Sequence, residues 1–147
     1  MTPPPPAGPR IFTVEQANRL LSDVRRLLAA LRAERDGLRG LEQDVAVIEL
    51  EGLQRSGAVS QEAHQRASAK VTDLEQGMER FHEVLAELDT LGCQLKDLDE
   101  GLIDFFTMHQ GQLVYLCWKD GEDRIRYWHP LDDGFAGRRS ITELANN

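Results

Sequence analysis

The chain has 147 residues, about the size of one domain, and is long enough to bury a core without disulfides or metals. Its 17 Lys and Arg against 25 Asp and Glu give a net charge of −8, which repels phosphate backbones and anionic membranes and disfavours nucleic acid as a partner. Two cysteines are too few for a disulfide scaffold, and no apolar run reaches the roughly 20 residues of a membrane span. With no signal-peptide pattern at the N-terminus, these features predict a cytoplasmic protein with reduced thiols.

The N-terminal part predicts a leader followed by a long helix. Four consecutive prolines favour an extended conformation, so we expect residues 1–11 to form a disordered leader and residues 12–147 a single domain. Thr13 and Gln16 have the spacing of a capping box. The helix is expected to run to about residue 50, and the sequence leaves open whether it is continuous through Gly37 and Gly40. Its apolar stripe recurs at steps of three and four: Val14, Ala17, Leu21, Val24, Leu28, Leu31 and Leu38.

A second helix follows a connection at residues 52–59, with Ser60 as its N-cap and Gly92 at its C-terminal end. Its heptad pattern is Ala67, Val71, Leu74, Met78, Phe81, Leu85 and Leu88. Two long amphipathic helices joined by a short loop predict an antiparallel, coiled-coil-like hairpin over residues 12–91. The first helix carries another apolar row, which exceeds what a two-helix seam needs and favours a homodimer: Leu20, Leu27, Leu41 and Ile48.

The C-terminal part, residues 92–147, has the pattern of a β-rich module. Alternating or apolar runs at 93–99, 101–106, 112–118 and 124–129 predict strands, and Asp120-Gly121 predicts the turn of a hairpin between the last two. We expect an antiparallel sheet of three or four strands packed against the open end of the helical hairpin. The fold class is therefore α+β.

Acidic residues cluster at the start of this module, and His129 ends its last predicted strand. Carboxylates and imidazole suit a divalent transition metal, and on a strand Asp97 and Asp99 would point to the same face. The candidate ligands are Asp97, Asp99, Asp104 and His129, with Asp132 or Asp133 as completion.

The same residues also have structural interpretations. Asp104 lies in an apolar run, so a buried carboxylate there needs a partner, and Arg138, Arg126 or His129 would supply it as an ion pair without chemistry. The other acids would cap turns and keep sheet edges soluble. Both cysteines, Cys93 and Cys117, are interpreted as packing residues.

Five segments of the chain have a specific pattern: FTVEQANRLL (12–21), LGCQLKDLDEGLIDF (91–105), VYLCW (114–118), YWH (127–129) and DDGFAGRR (132–139). Together they resemble one bacterial family, catalogued as domain of unknown function 2203. The resemblance implies that Asp104, His129 and Arg138 are typical of the family. It implies no activity and no catalytic residue.

Three functions fit the sequence. The first is a non-enzymatic protein-interaction or scaffolding module, self-associating as a homodimer. The second is a metal-binding or metal-dependent hydrolytic protein that uses Asp104 and His129 with Asp97 or Asp99. The third is a single-stranded nucleic-acid binder with arginines among aromatic residues of the sheet, which the net charge disfavours.

Overall fold

The computed structural model describes residues 9–56 and 61–144, so most of the predicted leader and Ser60 lie outside the described residues. The helices are α1 (Val14–Arg19), α2 (Leu21–Ser56) and α3 (Gln61–Thr90). The strands are β1 (Gln94–Asp97), β2 (Leu102–His109), β3 (Gln112–Lys119), β4 (Tyr127–Pro130) and β5 (Arg139–Ser140). The α+β class is confirmed. Within these ranges, no helix is both long and apolar enough to cross a membrane.

The predicted first helix is two helices. Thr13 caps α1 as expected, because its hydroxyl accepts from Gln16 N and the Gln16 side chain accepts from Thr13 N. Leu20 then closes α1, and α2 begins at the next residue. From there α2 runs unbroken through Gly37 and Gly40 to Ser56, beyond the predicted end. The question of a bend at the two glycines is therefore answered in favour of one continuous helix.

The chain forms two compact units. Of the described residues, those within 1–28 and 87–147 form one, the helix–sheet unit, and those within 29–86 form the other, the helical unit. In the helical unit, α2 and α3 run antiparallel, since Glu34 pairs with Arg80 and Asp44 with Lys70. The predicted hairpin is confirmed there. The heptad at Val71 and Met78 is not a buried seam, because these side chains are 39% and 47% exposed.

The sheet of the helix–sheet unit has five antiparallel strands in the order β1-β2-β3-β4-β5. We expected three or four strands, and the sheet has one more, the short β5, whose two residues pair with Tyr127 and Trp128. Two residues are too few to show the alternation by which a strand is recognised. The predicted hairpin between β3 and β4 is present, although β4 begins only at Tyr127.

One face of this sheet packs against the first helical turns. Phe12 meets Phe105 edge to face at 5.3 Å, and Arg25 lies 5.5 Å from the ring centre of Trp118. Buried side chains on this face supply the core of the unit: Ile103, Phe105, Thr107, Val114, Leu116, Trp118 and Trp128. The residues between them in each strand point to the opposite face.

Two glycines should respond in opposite ways to alanine. Gly92, just after α3, has φ +91°, and an added Cβ would lie 2.7 Å from Arg10 Cδ and 3.0 Å from Phe12 Cζ. We expect Gly92→Ala to lower the free energy of unfolding by about 1–3 kcal/mol. Gly37→Ala should raise it by about 0.5–1 kcal/mol, since Gly37 is helical and its Cβ would meet nothing within 4 Å. Urea unfolding followed by circular dichroism measures both, and equal stabilities of the two variants would contradict this account.

Candidate metal centre

The strand register brings three polar side chains together on the face away from the core. Asp104 of β2 is paired with Cys117 of β3, and His129 of β4 is paired with Tyr115, two residues before Cys117. Because alternate residues share a face, Asp104, Cys117 and His129 lie side by side. Their carboxylate, thiol and imidazole donor atoms all lie within 4.8 Å of one another, and all three residues are buried.

Hydrogen bonds fix the orientation of the His129 ring. Nδ1 lies 2.8 Å from the Pro130 carbonyl oxygen, which only accepts, so Nδ1 carries a proton. Nε2 then faces the Asp104 carboxylate at 3.1 and 3.2 Å. A hydrogen bond between Nε2 and this carboxylate needs one further proton, which either partner can donate. Both side chains are only 4% exposed, so water does not compete for the contact.

Burial opposes ionisation of the Asp104 and Cys117 side chains. Desolvation raises the pKa of Asp104, and the neighbouring His129 opposes that rise. Desolvation also raises the pKa of Cys117 to about 12, helped by the charge of Asp104 and opposed by Arg138. At neutral pH, Cys117 is therefore a thiol that donates to Asp104. Its nucleophilicity is low in this state, since thiolate is the reactive form.

A pocket of about 400 Å³ lies against the cluster, which contributes all three residues to its lining. The loop after β4 forms one wall with Leu131 and Phe135, and acidic residues of the lining are Asp97, Asp132 and Asp133. These carboxylates favour an approaching cation. The cluster therefore has an opening on one side and the sheet on the other.

Lys96 and Tyr115 also line this pocket. The Tyr115 hydroxyl donates to Gln94 Oε1 at 3.0 Å and accepts from Lys96 Nζ at 3.3 Å. The Lys96 ammonium also lies 4.6 Å from the Tyr115 ring centre. The positive charge of Lys96 is thereby held at the ring of Tyr115.

Of the four candidate ligands, the structure brings Asp104 and His129 into direct contact. Asp97 lines the same pocket, and its Oδ1 accepts from Glu100 N at 2.9 Å, as a turn-capping acid does. Asp99 follows the end of β1 in a turn and is not among the pocket residues. The expected strand face shared by Asp97 and Asp99 is therefore wrong, because β1 ends at Asp97.

The buried partner of Asp104 is His129, one of three that the sequence left open. Arg138 instead donates to Glu122 and to the Cys117 carbonyl oxygen, and Arg126 pairs with Asp123. The Arg138 guanidinium also lies between the rings of Tyr127 and Phe135, at 4.1 and 4.6 Å from their centres. Arg138 thus ties the pocket wall at Phe135 to β3.

Sequence reasoning missed Cys117 as a member of the cluster. The available signal was the turn between β2 and β3, where Gln110 and Gly111 both have positive φ, as in a two-residue hairpin. From that turn, Asp104 and Cys117 are equally distant along their strands and must pair. Cys93, by contrast, packs as expected, with its thiol donating to the Leu88 carbonyl oxygen.

The family model described as "Uncharacterized conserved protein (DUF2203)" matches residues 10–141, so the chain belongs to this family, as the sequence motifs predicted. No curated protein and no solved structure matches the chain.

We expect both thiols to be unreactive in the folded protein. Burial raises the pKa of Cys93 to about 11 and that of Cys117 to about 12. Iodoacetamide at pH 8 should therefore label neither cysteine in buffer and both in urea, as mass spectrometry of the intact protein will show. Rapid labelling of Cys117 in the folded protein would contradict the packing described for the cluster.

The same two groups predict a loss of stability in alkali. Each folded-state pKa lies above the ordinary value of 9.0, so the folded chain holds these protons more tightly than the unfolded chain. Their contribution is complete below pH 9 and is lost as the pH rises toward 11–12. Urea unfolding at pH 8 and pH 10.5 should show the fall, and Cys93→Ala should reduce its slope.

Proposed function

We propose that this member of the DUF2203 family binds a divalent transition metal ion, with Asp104, Cys117 and His129 as protein ligands. The observation that carries the proposal is the Cys117 thiol, which lies beside Asp104 and His129 as a third donor. A structural ion pair between Asp104 and His129 needs no thiol, whereas carboxylate, thiolate and imidazole together are the ligands that zinc prefers.

The distances between the donor atoms of the cluster support a metal ion in place of the protons in its hydrogen bonds. Tetrahedral zinc with bonds of about 2.0–2.3 Å places its ligand atoms about 3.4–3.6 Å apart. The imidazole and carboxylate atoms, 3.1 Å apart, would move slightly apart, and since all donor atoms lie within 4.8 Å of one another, no pair would need to close by more than roughly 1 Å. The bond from Nδ1–H to the Pro130 carbonyl oxygen is the outer contact that typically orients a metal-bound histidine through Nε2.

The donor set also supports a particular class of ion and of chemistry. Calcium and magnesium take oxygen ligands, so a thiolate and an imidazole favour zinc or a similar transition metal. Three protein ligands leave a fourth position toward the pocket, as in catalytic zinc sites. A water molecule there would have its pKa lowered to about 7 and serve as a nucleophile. Metal-dependent hydrolysis is the activity that this site fits.

Cobalt(II) titration tests the proposal, because a thiolate ligand to cobalt gives a charge-transfer band in the near ultraviolet. Tag-free protein should take up one equivalent of cobalt and develop the band, and zinc should displace it. Cys117→Ser should abolish the band, and His129→Ala should weaken binding by at least about 100-fold, the upper range for losing an outer partner of a ligand.

Cys93→Ser is the matched control, since Cys93 is also buried but lies outside the cluster. It should leave the band and the affinity unchanged. Circular dichroism of each variant separates loss of binding from loss of fold. A wild-type protein that takes up no cobalt or zinc would leave Asp104 and His129 as a structural pair.

A second candidate function is self-association through the helical unit, and a specific observation favours it. In the described part of this unit, α2 exposes about half of each of three apolar side chains: Val47 at 52%, Leu50 at 57% and Leu53 at 48%. Val71 and Met78 of α3 are exposed as well. The contact between the two helices leaves these side chains uncovered, and a symmetric contact with a second copy would bury the same side chains on both chains.

Sedimentation velocity from low to high micromolar concentration tests this second function. We expect a dimer, and we expect Leu50→Glu and Met78→Glu to shift it to monomer by placing charges in the contact. Ile11→Glu is the control, because Ile11 is 48% exposed but belongs to the helix–sheet unit. A clean monomer at high concentration would exclude the homodimer.

A further inference from the structure

The helix–sheet unit contains a second pocket, of about 430 Å³, lined by none of the residues of the candidate metal centre. Three stretches of chain line it. Val14 and Asn18 come from α1, residues 124–127 from the approach to β4 and its first residue, and residues 140–142 from the end of β5 and the turn that follows.

Hydrogen bonds tie these three stretches to one another. Ile125 N donates to Asn18 Oδ1 at 2.7 Å, which joins the segment before β4 to α1. Ile141 N donates to the Arg126 carbonyl oxygen at 3.0 Å, which joins the C-terminal turn to the same segment. Ile125 itself is fully buried. The pocket is therefore formed before any ligand arrives, and binding costs little reorganisation.

Two guanidinium groups give this pocket a positive character on a chain of net charge −8. Arg124 and Arg126 flank buried Ile125 in the irregular segment before β4, and all three residues line the pocket. Asp123 holds Arg126 with bonds at 3.0 and 3.2 Å and offsets its charge. Asp123 also attracts Arg124 electrostatically, but no hydrogen bond joins Arg124 to a residue of the described ranges, so its donors are open to a ligand.

The other residues that line this pocket indicate what kind of ligand would fit beside the arginines. Ser140 and Thr142 contribute hydroxyl groups that lie 2.9 Å apart, and Val14, Ile125 and Ile141 contribute apolar side chains. A site of this size with few polar groups and an apolar wall fits a small organic molecule better than a bare ion. We infer that this pocket binds an organic carboxylate, with its carboxylate group on Arg124 and its hydrocarbon part against the apolar wall.

Hexanoate is the probe, and backbone amide shifts in ¹H–¹⁵N spectra of the full chain are the measurement. We expect saturable shifts of the Ile125, Ile141 and Thr142 amides with hexanoate, and affinity at least about tenfold lower for acetate, which lacks the hydrocarbon part. Arg124→Gln should weaken hexanoate binding by about tenfold or more, because it removes a charge-assisted hydrogen bond. Arg124 is exposed and has no hydrogen bond to lose within the described ranges, so this variant should fold.

Arg39→Gln is the matched control, since it makes the same charge change on an exposed side chain of the helical unit. It should leave hexanoate binding unchanged. Hexylamine, with the opposite charge, should not shift these amides. Equal shifts with hexylamine, unchanged binding in Arg124→Gln, or no saturable shift with hexanoate would each overturn the inference. None of these outcomes depends on the metal proposal, because neither arginine lines the other pocket.

Discussion

The register between β2 and β3 is the constraint on which the rest of the helix–sheet unit depends. The two-residue turn at Gln110 and Gly111 sets it, and the pairing then continues without interruption from His109 with Gln112 to Leu102 with Lys119. Since successive side chains alternate between faces, a slip by one residue would move Asp104 onto the core face and Phe105 onto the pocket face. Neither face would tolerate the exchange, because a buried carboxylate needs a polar partner and Phe105 packs against Phe12.

The same alternation explains how one thin sheet supports both a core and a polar cluster. One face is covered by the first helical turns and is apolar apart from Thr107. The other is covered by the loop after β4, which Arg138 holds by stacking between Tyr127 and Phe135. This cover buries Asp104, Cys117 and His129 while leaving a pocket beside them. Burying three ionisable groups is costly unless their polar atoms are paired. Here hydrogen bonds pair them, and a bound metal ion would stabilise them through its positive charge.

The two pockets of this unit differ in electrostatic character. The one beside the cluster is lined by Asp97, Asp132 and Asp133, which favour a cation. The other is lined by Arg124 and Arg126 and has an apolar wall. The chain has a net charge of −8, so the positive charge of the second pocket is opposite in sign to the charge of the chain as a whole. Its charge comes from the irregular segment before β4, where Arg124 and Arg126 flank Ile125 and both line the pocket.

The sequence by itself determined the fold class, the capping box at Thr13, the end of α3 near Gly92 and the hairpin of β3 and β4, because each depends on local pattern or backbone chemistry. It also placed Asp104 and His129 among the candidate ligands from their residue types. Tertiary structure alone decided that His129, and not Arg138 or Arg126, is the partner of Asp104, since that choice depends on register across three strands. It likewise brought Cys117 beside them and placed Asp99 in a turn after β1, because the end of β1 and the neighbours across a sheet are set by non-local pairing, which no spacing along the chain records.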